Sequence, residues 1–339
     1  FVDGLLTTVV AVANTRPKSV LVALAPIQSY TWWFRRRVIK KEMILLQFLI
    51  LSCLVLVATS MVPKFAGFDL GTSGARVSII EPVAGGGYHE VYAEALTWKE
   101  YDDHKAWMAA VESLLEGASE NGIETQSIKS ICVSGTSASC LIVDAETREA
   151  TRLPRMYDYD IGTDSEAAEE ALELLDKHAP PRHTARARTG SLAKLLKWQR
   201  ETPLKDSEVL CHQSDYISMQ LLAQARPMNS DWHNCLKLGY DVQKLEWPGW
   251  IGACLKEAGI QNPEAAIPAN IKSPGEPMGT IDKDVAKRMG LSTDTVVVGG
   301  TTDSNAAFFA AAGTSPSFGT AVTSLGSTLA MKQLSKTYV

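Results

Sequence analysis

Two stretches of the chain join an apolar run to one Asp that is surrounded by Gly, Ser and Thr. FAGFDLGTSGARVSII, residues 65–80, carries Asp69 in front of a Gly-Thr-Ser-Gly turn. VVVGGTTDSNAAFF, residues 296–309, carries Asp303 behind a Gly-Gly-Thr-Thr run. A carboxylate at a strand end can accept a proton from an attacking hydroxyl group, or hold Mg²⁺ through water. The two Asp are therefore the first candidates for catalysis.

The turn that follows Asp69 is suited to an anion. Gly71 and Gly74 permit a tight turn in which consecutive backbone N–H groups converge. Thr72 and Ser73 add two hydroxyl donors. The alternative is an ordinary hairpin in which the Gly residues serve only the turn. The segment predicts either a phosphate site or a plain connection between strands.

Asp303 lies where a strand gives way to a helix, and the commonest task of Asp there is to cap the helix. The alternative is a general base, which Gly299 and Gly300 favour because residues without side chains leave room for a ligand. SLGSTLA, residues 324–330, is a second candidate phosphate turn. SGTSAS, residues 134–139, offers small hydroxyl groups that suit a polyol, with a plain polar loop as the alternative.

Alternating strands and helices surround these residues. Two strands joined by the first turn should form a hairpin, and a third follows the Gly triplet at 85–87. This pattern indicates an α/β domain with a mixed sheet. Strands are predicted at KFAGFDL, ARVSII, YHEVYAEAL, SIKSICVSG, CLIVD, DTVVVGG and in TAVTSLGSTLAMK. Helices are predicted over 104–121, 164–178, 191–199, 215–225, 251–258 and 304–312.

Charge and motifs exclude several classes of protein. Residues 1–62 hold seven Lys and Arg against two acidic residues, so with a net charge of −5 the remaining body carries −10. An acidic body lacks the basic surface that nucleic-acid binding needs. The chain has no P-loop motif and no nucleophile elbow. Its six Cys form no C-x-x-C pair, which predicts free thiols in a reducing compartment.

The N-terminal segment differs from the rest of the chain. Residues 43–62 form a run without a charge, Gly or Pro, long enough to span a bilayer as a helix. The basic segment FRRRVIKKE before it suits either a membrane anchor or a secretory signal. Membrane contact is expected only if this run is a true anchor.

Taken in order, the segments resemble the FGGY family of carbohydrate kinases, within the actin-like ATPase superfamily. The likeness runs from about Lys64 to the end of the chain. Each piece is short, and the ordered set is specific. The segments that carry it are GFDLGTSGARVSII, VSGTSASCLIVD, HTARARTGSLAKLLKW, SDWHNCLKLGYDVQKLEW, GGTTDSNAA and VTSLGSTLAMK.

The resemblance implies a role for each site residue. Asp303 is expected to act as general base and to contact the sugar. Asp69 and Ser137 are also expected to contact the sugar, and Asp69 to hold Mg²⁺ through water. The residues expected to face the phosphates and the nucleotide are Gly71, Thr72, Ser73, Gly74, Gly326, Ser327 and Thr328.

ATP and Mg²⁺ are the cofactors that the resemblance implies, and a small sugar is the partner. Within the family the chain is most similar to plant and cyanobacterial xylulokinase-like enzymes that act on D-ribulose. GTSAS stands where typical xylulokinases carry a Met-His pair. The expected reaction phosphorylates D-ribulose or D-xylulose at O5. The W-x-D-x-R segment of many relatives is matched only in outline by RMYDYDIG.

The implied fold is a ribonuclease H-like, actin-like ATPase domain with a mixed central sheet flanked by helices. Residues 63–312 would form the sugar-binding N-terminal domain. Residues 313–339 would only begin the nucleotide-binding domain, so this chain is expected to bind sugar weakly and turn over ATP poorly. ATP use implies a place inside the cell, in the cytoplasm or a plastid. Residues 1–62 then suit an organelle-targeting leader or a misjoined upstream coding segment.

Two other functions stay open at this point. Another actin-like ATPase would hydrolyse ATP without sugar. A non-catalytic sugar-binding fragment would bind sugar without forming ADP.

Overall fold

The computed structural model of the protein describes residues 62–99, 103–224, 227–313, 315–325 and 329–337. Residues 1–61, which include all but the last residue of the apolar run predicted as a leader or an anchor, lie outside these ranges, as do Gly326, Ser327 and Thr328. None of the helices within the ranges has the length and apolar character that a bilayer crossing requires.

A mixed six-stranded sheet forms the centre of the fold. The strands of the described residues are β1 (Lys64–Leu70), β2 (Gly74–Pro82), β3 (Tyr88–Thr97), β4 (Ile128–Gly135), β5 (Cys140–Asp144), β6 (Ala150–Arg155), β7 (Glu208–His212), β8 (Asn229–Asp231), β9 (Asn270–Lys272), β10 (Pro277–Thr280), β11 (Val296–Thr302), β12 (Ala321–Leu325) and β13 (Leu329–Gln333). The helices are α1 (His104–Glu120), α2 (Glu166–His178), α3 (Ser191–Glu201), α4 (Gln213–Leu221), α5 (Trp232–Cys235), α6 (Gly249–Glu257), α7 (Lys283–Arg288) and α8 (Asp303–Ala312).

The strand order of the central sheet is β10-β11-β4-β1-β2-β3. Strands β1, β4 and β11 are parallel, and β2, β3 and β10 run antiparallel to their neighbours. The three parallel strands lie side by side in the middle of the sheet. Their carboxyl ends therefore meet at one edge, which is where ligands bind in open α/β sheets.

The two faces of β1 carry different residues. Ala66, Phe68 and Leu70 are buried in the core that also holds Trp107 of α1. Because side chains alternate along a strand, Gly67 and Asp69 face the opposite side, where α8 lies.

A second core forms around a sheet of which the sequence predicted one strand, CLIVD, and missed the other two. Strands β5, β6 and β7 make a separate antiparallel sheet in the order β6-β5-β7, and α2, α3 and α6 share its core. Strand β7, EVLCH, is buried at every position, so it has no alternating pattern to detect. Strand β6, ATRLPR, contains Pro and two Arg, which hide it for the opposite reason.

The predicted fold class, a mixed sheet with helices, is confirmed. Helix ends differ by a few residues from the prediction. The helix expected over 215–225 spans Gln213–Leu221, because His212 and Asp215 form a capping box that starts the helix earlier. Strands β12 and β13 pair as a separate antiparallel hairpin, as their sequence predicts.

Candidate active site

Register places the candidate carboxylates at one edge of the sheet. Asp69 on β1 is paired with Ser134 on β4, and Thr301 on β11 is paired with the same Ser134. Strand β11 ends at Thr302, and Asp303 follows directly as the first residue of α8. The two Asp, 234 positions apart in sequence, thus come from the ends of the two strands that flank β4.

Asp69 is held by its neighbours in the sheet. The Ser134 hydroxyl donates to Asp69 Oδ1 at 2.7 Å. Arg76 of β2 donates to Oδ2 at 3.3 Å, and its side chain is mostly exposed. Exposed ion pairs contribute little to stability. Ser134 therefore fixes the orientation of the carboxylate. Oδ2 is bound by the exposed Arg76 side chain, which another cation can replace.

The turn after Asp69 is anchored by Trp98, the residue that follows β3. The Gly71 N–H donates to the Gly74 carbonyl at 2.9 Å, and Trp98 Nε1–H donates to the Gly71 carbonyl at 2.8 Å. Thr72 is half-buried and Ser73 is exposed. These two hydrogen bonds fix the base of the turn that carries the Thr72 and Ser73 hydroxyls.

Glycine serves this turn for a reason that the sequence did not show. Neither Gly71 nor Gly74 is among the Gly residues with positive φ. A Cβ at Gly74 would lie 1.8 Å from the Leu96 carbonyl oxygen of β3, whereas one at Gly71 would meet nothing closer than 3.7 Å. Close approach of a neighbouring strand requires Gly74. The predicted tight turn is present, closed by the Gly71–Gly74 hydrogen bond, but it does not use a positive φ at either glycine.

The same correction applies next to Asp303. A Cβ at Gly299 would lie 2.3 Å from the Ser273 carbonyl oxygen, and one at Gly300 would lie 2.0 Å from the Val133 carbonyl oxygen of β4. The space beside these glycines is filled by backbone and not left for a ligand. They let β11 approach its neighbours, and this approach sets the position of Asp303.

Asp303 does not cap α8. Thr302 occupies the cap position without a side-chain bond, and Asp303 Oδ1 accepts from the Ser304 N–H at 2.6 Å. Burial raises the pKa of Asp303, and the charge of Asp69 raises it further. The Ser304 N–H and the ammonium groups of Lys332 and Lys237 act in the opposite direction. A half-buried carboxylate with a raised pKa at a sheet edge suits proton transfer.

Two lysines near Asp303 were not anticipated. Burial lowers the pKa of both Lys237 and Lys332, and the charge of Asp303 opposes that shift in each. Lys332 of β13 also donates to the Asn305 side chain in α8. Lys237 follows α5 in a 3-10 turn. A lysine in a short turn or an outer strand is normally a surface residue. The sequence alone therefore did not indicate a role for Lys237 or Lys332.

A histidine fixes the end of β11. His233 Nδ1 lies 2.8 Å from the Thr301 hydroxyl, and its ring stacks on Trp232 with centroids 5.5 Å apart. Burial, aided by the charge of Lys332, lowers the pKa of His233 to about 4. The ring is therefore neutral at physiological pH. Its hydrogen bond fixes the side chain of Thr301, which lies two residues before Asp303.

The hydroxyl-rich loop after β4 forms a tight turn. The Ser139 N–H donates to the Thr136 carbonyl at 3.1 Å, and Ala138 has a φ of +68°. Gln213 Oε1 accepts from both the N–H and the hydroxyl of Thr136, each at 3.0 Å. Ser137 is the member of the turn that is not fully buried. The Ser137 hydroxyl, which the family resemblance predicts to contact the sugar, thus lies at the accessible position of the turn.

Three buried polar atoms of the described residues lack a hydrogen-bond partner: Gln213 Nε2, Trp232 Nε1 and Asn234 Oδ1. Asn234 Nδ2 donates to the Ser214 hydroxyl at 3.0 Å, so Asn234 and Gln213 lie on adjoining parts of one network. Buried polar atoms are normally paired. A bound water or the hydroxyl of a ligand would pair these atoms of Gln213 and Asn234.

An open cavity of about 610 Å³ adjoins this edge, between the sheet and α8. Its size is within the usual range for a small-molecule site. No group of three or more His, Cys, Asp or Glu that could hold a metal occurs among the residues that the structure describes. The residues that line the cavity include Asp69, Ser134, Thr301 and Ala306.

Comparison with known proteins identifies the family. Residues 65–310 match the N-terminal domain of the FGGY family of carbohydrate kinases. The fold is similar to a carbohydrate kinase from Novosphingobium aromaticivorans, with 21% identity and a TM-score of 0.60 over 81% of this chain and 57% of that one. It is similar to xylulose kinase from Bifidobacterium adolescentis, with 19% identity and a TM-score of 0.60 over 79% and 58%. It is also similar to Plasmodium falciparum glycerol kinase with ADP, with 16% identity and a TM-score of 0.57 over 73% and 49%.

The chain spans about half the length of the solved structures that it matches, between 49% and 58% in these three. The family match covers well over half of the chain and includes both candidate carboxylates. The chain belongs to the FGGY family of carbohydrate kinases.

Proposed function

We propose that the protein is part of an ATP-dependent sugar kinase that phosphorylates a ketopentose, D-ribulose or D-xylulose, at O5. The observation that carries this proposal is the position of Asp69 and Asp303 at the ends of the two strands that flank β4, whose own end leads into the Thr136–Ser139 turn. Phosphoryl transfer needs mainly positioning and charge stabilisation. Two carboxylates with different neighbours can divide the tasks of metal binding and proton transfer.

Asp303 is proposed as the general base. An efficient base has a pKa not far below the working pH, and burial and Asp69 both raise the pKa of Asp303. The Ser304 N–H holds one carboxylate oxygen, which leaves the other for a substrate hydroxyl. Asp303 would accept the proton of the sugar O5 hydroxyl as that oxygen attacks the γ-phosphorus of ATP.

Asp69 is proposed to hold Mg²⁺ through water and to contact the sugar. Mg²⁺ is usually bound by one or two carboxylates, several waters and the substrate phosphates, and not by a cage of protein ligands. A single oriented carboxylate with Oδ2 facing an exposed arginine fits that mode of binding. Mg²⁺ would neutralise negative charge on the phosphates of ATP, and Asp69 would fix its place.

The sugar site is proposed to lie at the turn after β4. Ser137 offers a hydroxyl at a partly exposed position. The unpaired amide atoms of Gln213 and Asn234 offer one donor and one acceptor. A pentulose carries hydroxyls that can satisfy both. D-ribulose is the first candidate because the small hydroxyl turn stands where typical xylulokinases carry a Met-His pair.

The nucleotide is proposed to meet the turn after Asp69, through Gly71, Thr72, Ser73 and Gly74. The match to a glycerol kinase with ADP supports ATP as the donor. Gly326, Ser327 and Thr328 would contribute from the second turn. Residues 63–312 would form the sugar-binding domain and residues 313–339 the first part of a nucleotide-binding domain.

The test is ADP release in a coupled assay with ATP and Mg²⁺. The full-length protein that carries this chain would be given D-ribulose, D-xylulose, glycerol or no sugar. ADP that depends on one pentulose would support the proposal and identify the substrate. ADP without sugar would favour another actin-like ATPase, and pentulose binding without ADP would favour a non-catalytic sugar-binding protein.

The pH dependence of the reaction should report the surroundings of Asp303. Only the ionised carboxylate accepts a proton, so kcat/KM falls as the pH drops through the pKa of Asp303. Lys237→Met removes a charge that lowers this pKa, so the acid limb should move to higher pH. Lys332→Met removes a second charge that lowers this pKa, so it should move the limb in the same direction.

The pH profile of kcat/KM, recorded for both variants and for Lys287→Met, measures these shifts. Lys287 is an exposed residue of α7 and serves as a control for loss of one positive charge. An acid limb that stays in place in Lys237→Met and Lys332→Met, as it should in Lys287→Met, would contradict Asp303 as the titrating base.

Ser137→Ala should weaken sugar binding. Loss of one ligand hydrogen bond should raise the Kd for D-ribulose by roughly two- to tenfold. Ser119→Ala, an exposed position of α1, removes a hydroxyl away from the site and should leave the Kd unchanged. Isothermal titration of D-ribulose measures both, and equal Kd values for the two variants would remove Ser137 from the sugar site.

A further inference from the structure

A lysine is buried beneath the hydroxyl turn. Lys194 of α3 has no exposed surface, and its Nζ donates to the Ala138 carbonyl at 2.9 Å and to the Met156 carbonyl at 2.6 Å. None of the ion pairs found within the described ranges includes Lys194. The ammonium group is therefore satisfied by backbone carbonyls of two separate segments.

Full burial of a lysine is rare and needs a reason. Lysine is almost never fully buried in proteins, because removing its charge from water is costly. Burial lowers the pKa of Lys194, as expected for such a site. Its neighbours on α3, Leu192, Ala193, Leu195 and Leu196, are all apolar and fully buried. The hydrogen bonds of its ammonium group to two carbonyls are what distinguish Lys194 from these apolar neighbours.

One of these contacts is with a strained residue. Ala138 has a φ of +68° and is fully buried. Non-glycine residues in this region cost of order 1 kcal/mol or more and persist only where their surroundings hold them. The residue is third in the Thr136–Ser139 turn, where a positive φ is typical of a type II turn and normally calls for glycine. Something must therefore hold the turn in place.

The turn is held from both ends. Gln213 accepts two hydrogen bonds from Thr136 at its start, and Lys194 binds the carbonyl of Ala138. Ser137 lies between these two anchors. Hydrogen bonds from a charged donor are shorter and stronger than neutral ones. The Met156 carbonyl, which lies outside the turn, also holds Nζ.

We propose that Lys194 is a positioning residue that holds the Thr136–Ser139 turn in its strained conformation, so that the Ser137 hydroxyl meets the sugar. This inference rests on the proposed role of Ser137 in sugar binding. Lys194 itself lies beneath the turn and acts through it.

The test compares Lys194→Met with Lys197→Met. Lys197 lies on the same helix and also donates to a backbone carbonyl, that of Ile161 at 2.9 Å. Lys194→Met should raise the Kd for D-ribulose about tenfold, in line with loss of a charged hydrogen bond. It should also speed amide hydrogen exchange over residues 136–139. Lys197→Met should change neither, and equal effects of the two variants would overturn the proposal.

Rescue by glycine separates positioning from general stability. Glycine adopts positive φ without strain, so Ala138→Gly in the Lys194→Met background should recover at least half of the lost affinity, on a logarithmic scale. A core that is merely weakened would not regain sugar affinity by this change. Absence of any recovery, with the double variant folded, would contradict the proposal.

Two further readouts keep the test decisive. If Lys194→Met does not fold, Ala138→Gly alone should raise the Tm, because it removes strain; an unchanged or lower Tm would overturn the proposal. If the unmodified protein binds neither pentulose, the proposed function fails. Faster exchange over residues 136–139 in Lys194→Met, and not in Lys197→Met, would still support the positioning role.

Discussion

Replacing Asp303 by Asn is expected to lower the rate of sugar-dependent ADP release by about 10²- to 10⁴-fold, the usual contribution of general-base catalysis. The amide keeps the size of the side chain and can still accept from the Ser304 N–H, which lies 2.6 Å from Oδ1. It cannot accept a proton from the sugar. The rate should therefore fall while the Kd for D-ribulose stays within a few-fold of its original value.

A matched control exists in α7. Asp282 caps that helix by accepting from the N–H groups of Asp284 and Val285 at 2.9 and 3.2 Å. Asn is as good a cap as Asp, so Asp282→Asn should change neither the rate nor the stability by much. If Asp303 served only the start of α8, Asp303→Asn would behave in the same way. A near-normal rate of ADP release from Asp303→Asn would show that Asp303 is not the general base.

Gly300→Ala should lower the free energy of unfolding by roughly 3 kcal/mol, at the upper end of what overpacking costs. The added Cβ would lie 2.0 Å from the Val133 carbonyl oxygen, and 3.1 Å from its carbon. These are backbone atoms of β4, so no side chain can rotate to make room. Strands β4 and β11 must separate, at the point that positions Asp303.

Gly252→Ala is the control, because a Cβ there meets nothing within 4 Å. Gly252 lies inside α6, where Ala is preferred over Gly by about 1 kcal/mol. The control should therefore raise stability, in contrast to Gly300→Ala. Urea unfolding of both variants measures the difference. A loss below 1 kcal/mol for Gly300→Ala would mean that β4 shifts without cost.

Much of the central sheet was predictable from sequence because its strands carry clear local signals. Strand β1 alternates, its turn is short, and α1 has helical spacing that ends at Asn121. Asp69 and Asp303 were recognised for the same local reason, since each follows an apolar run. In the sheet of β5, β6 and β7, only β5 was predicted. Strand β7 is buried at every position and shows no alternation, and β6 contains Pro and two Arg, which conceal it.

Residues that act through long-range contacts were not predictable. Gly300 is required because a Cβ there would meet the Val133 carbonyl. Lys194 is explained by its hydrogen bond to the Ala138 carbonyl. Lys237 near Asp303 gave no local signal either. Each role depends on which backbone atoms the fold places beside the residue, and a single sequence contains no record of such neighbours.

The pairing of β11 with β4 has a consequence for folding kinetics. Strands β1 to β4 are near one another in sequence, whereas β4 and β11 are separated by 160 residues that contain the second core. Closing so long a loop costs entropy before any contact compensates for it, and non-local strand pairing is slow. We therefore expect β11 to join the sheet late, leaving the β4 edge uncovered in the meantime. Asp303 reaches Asp69 only at that step, so the two carboxylates come together when folding is almost complete.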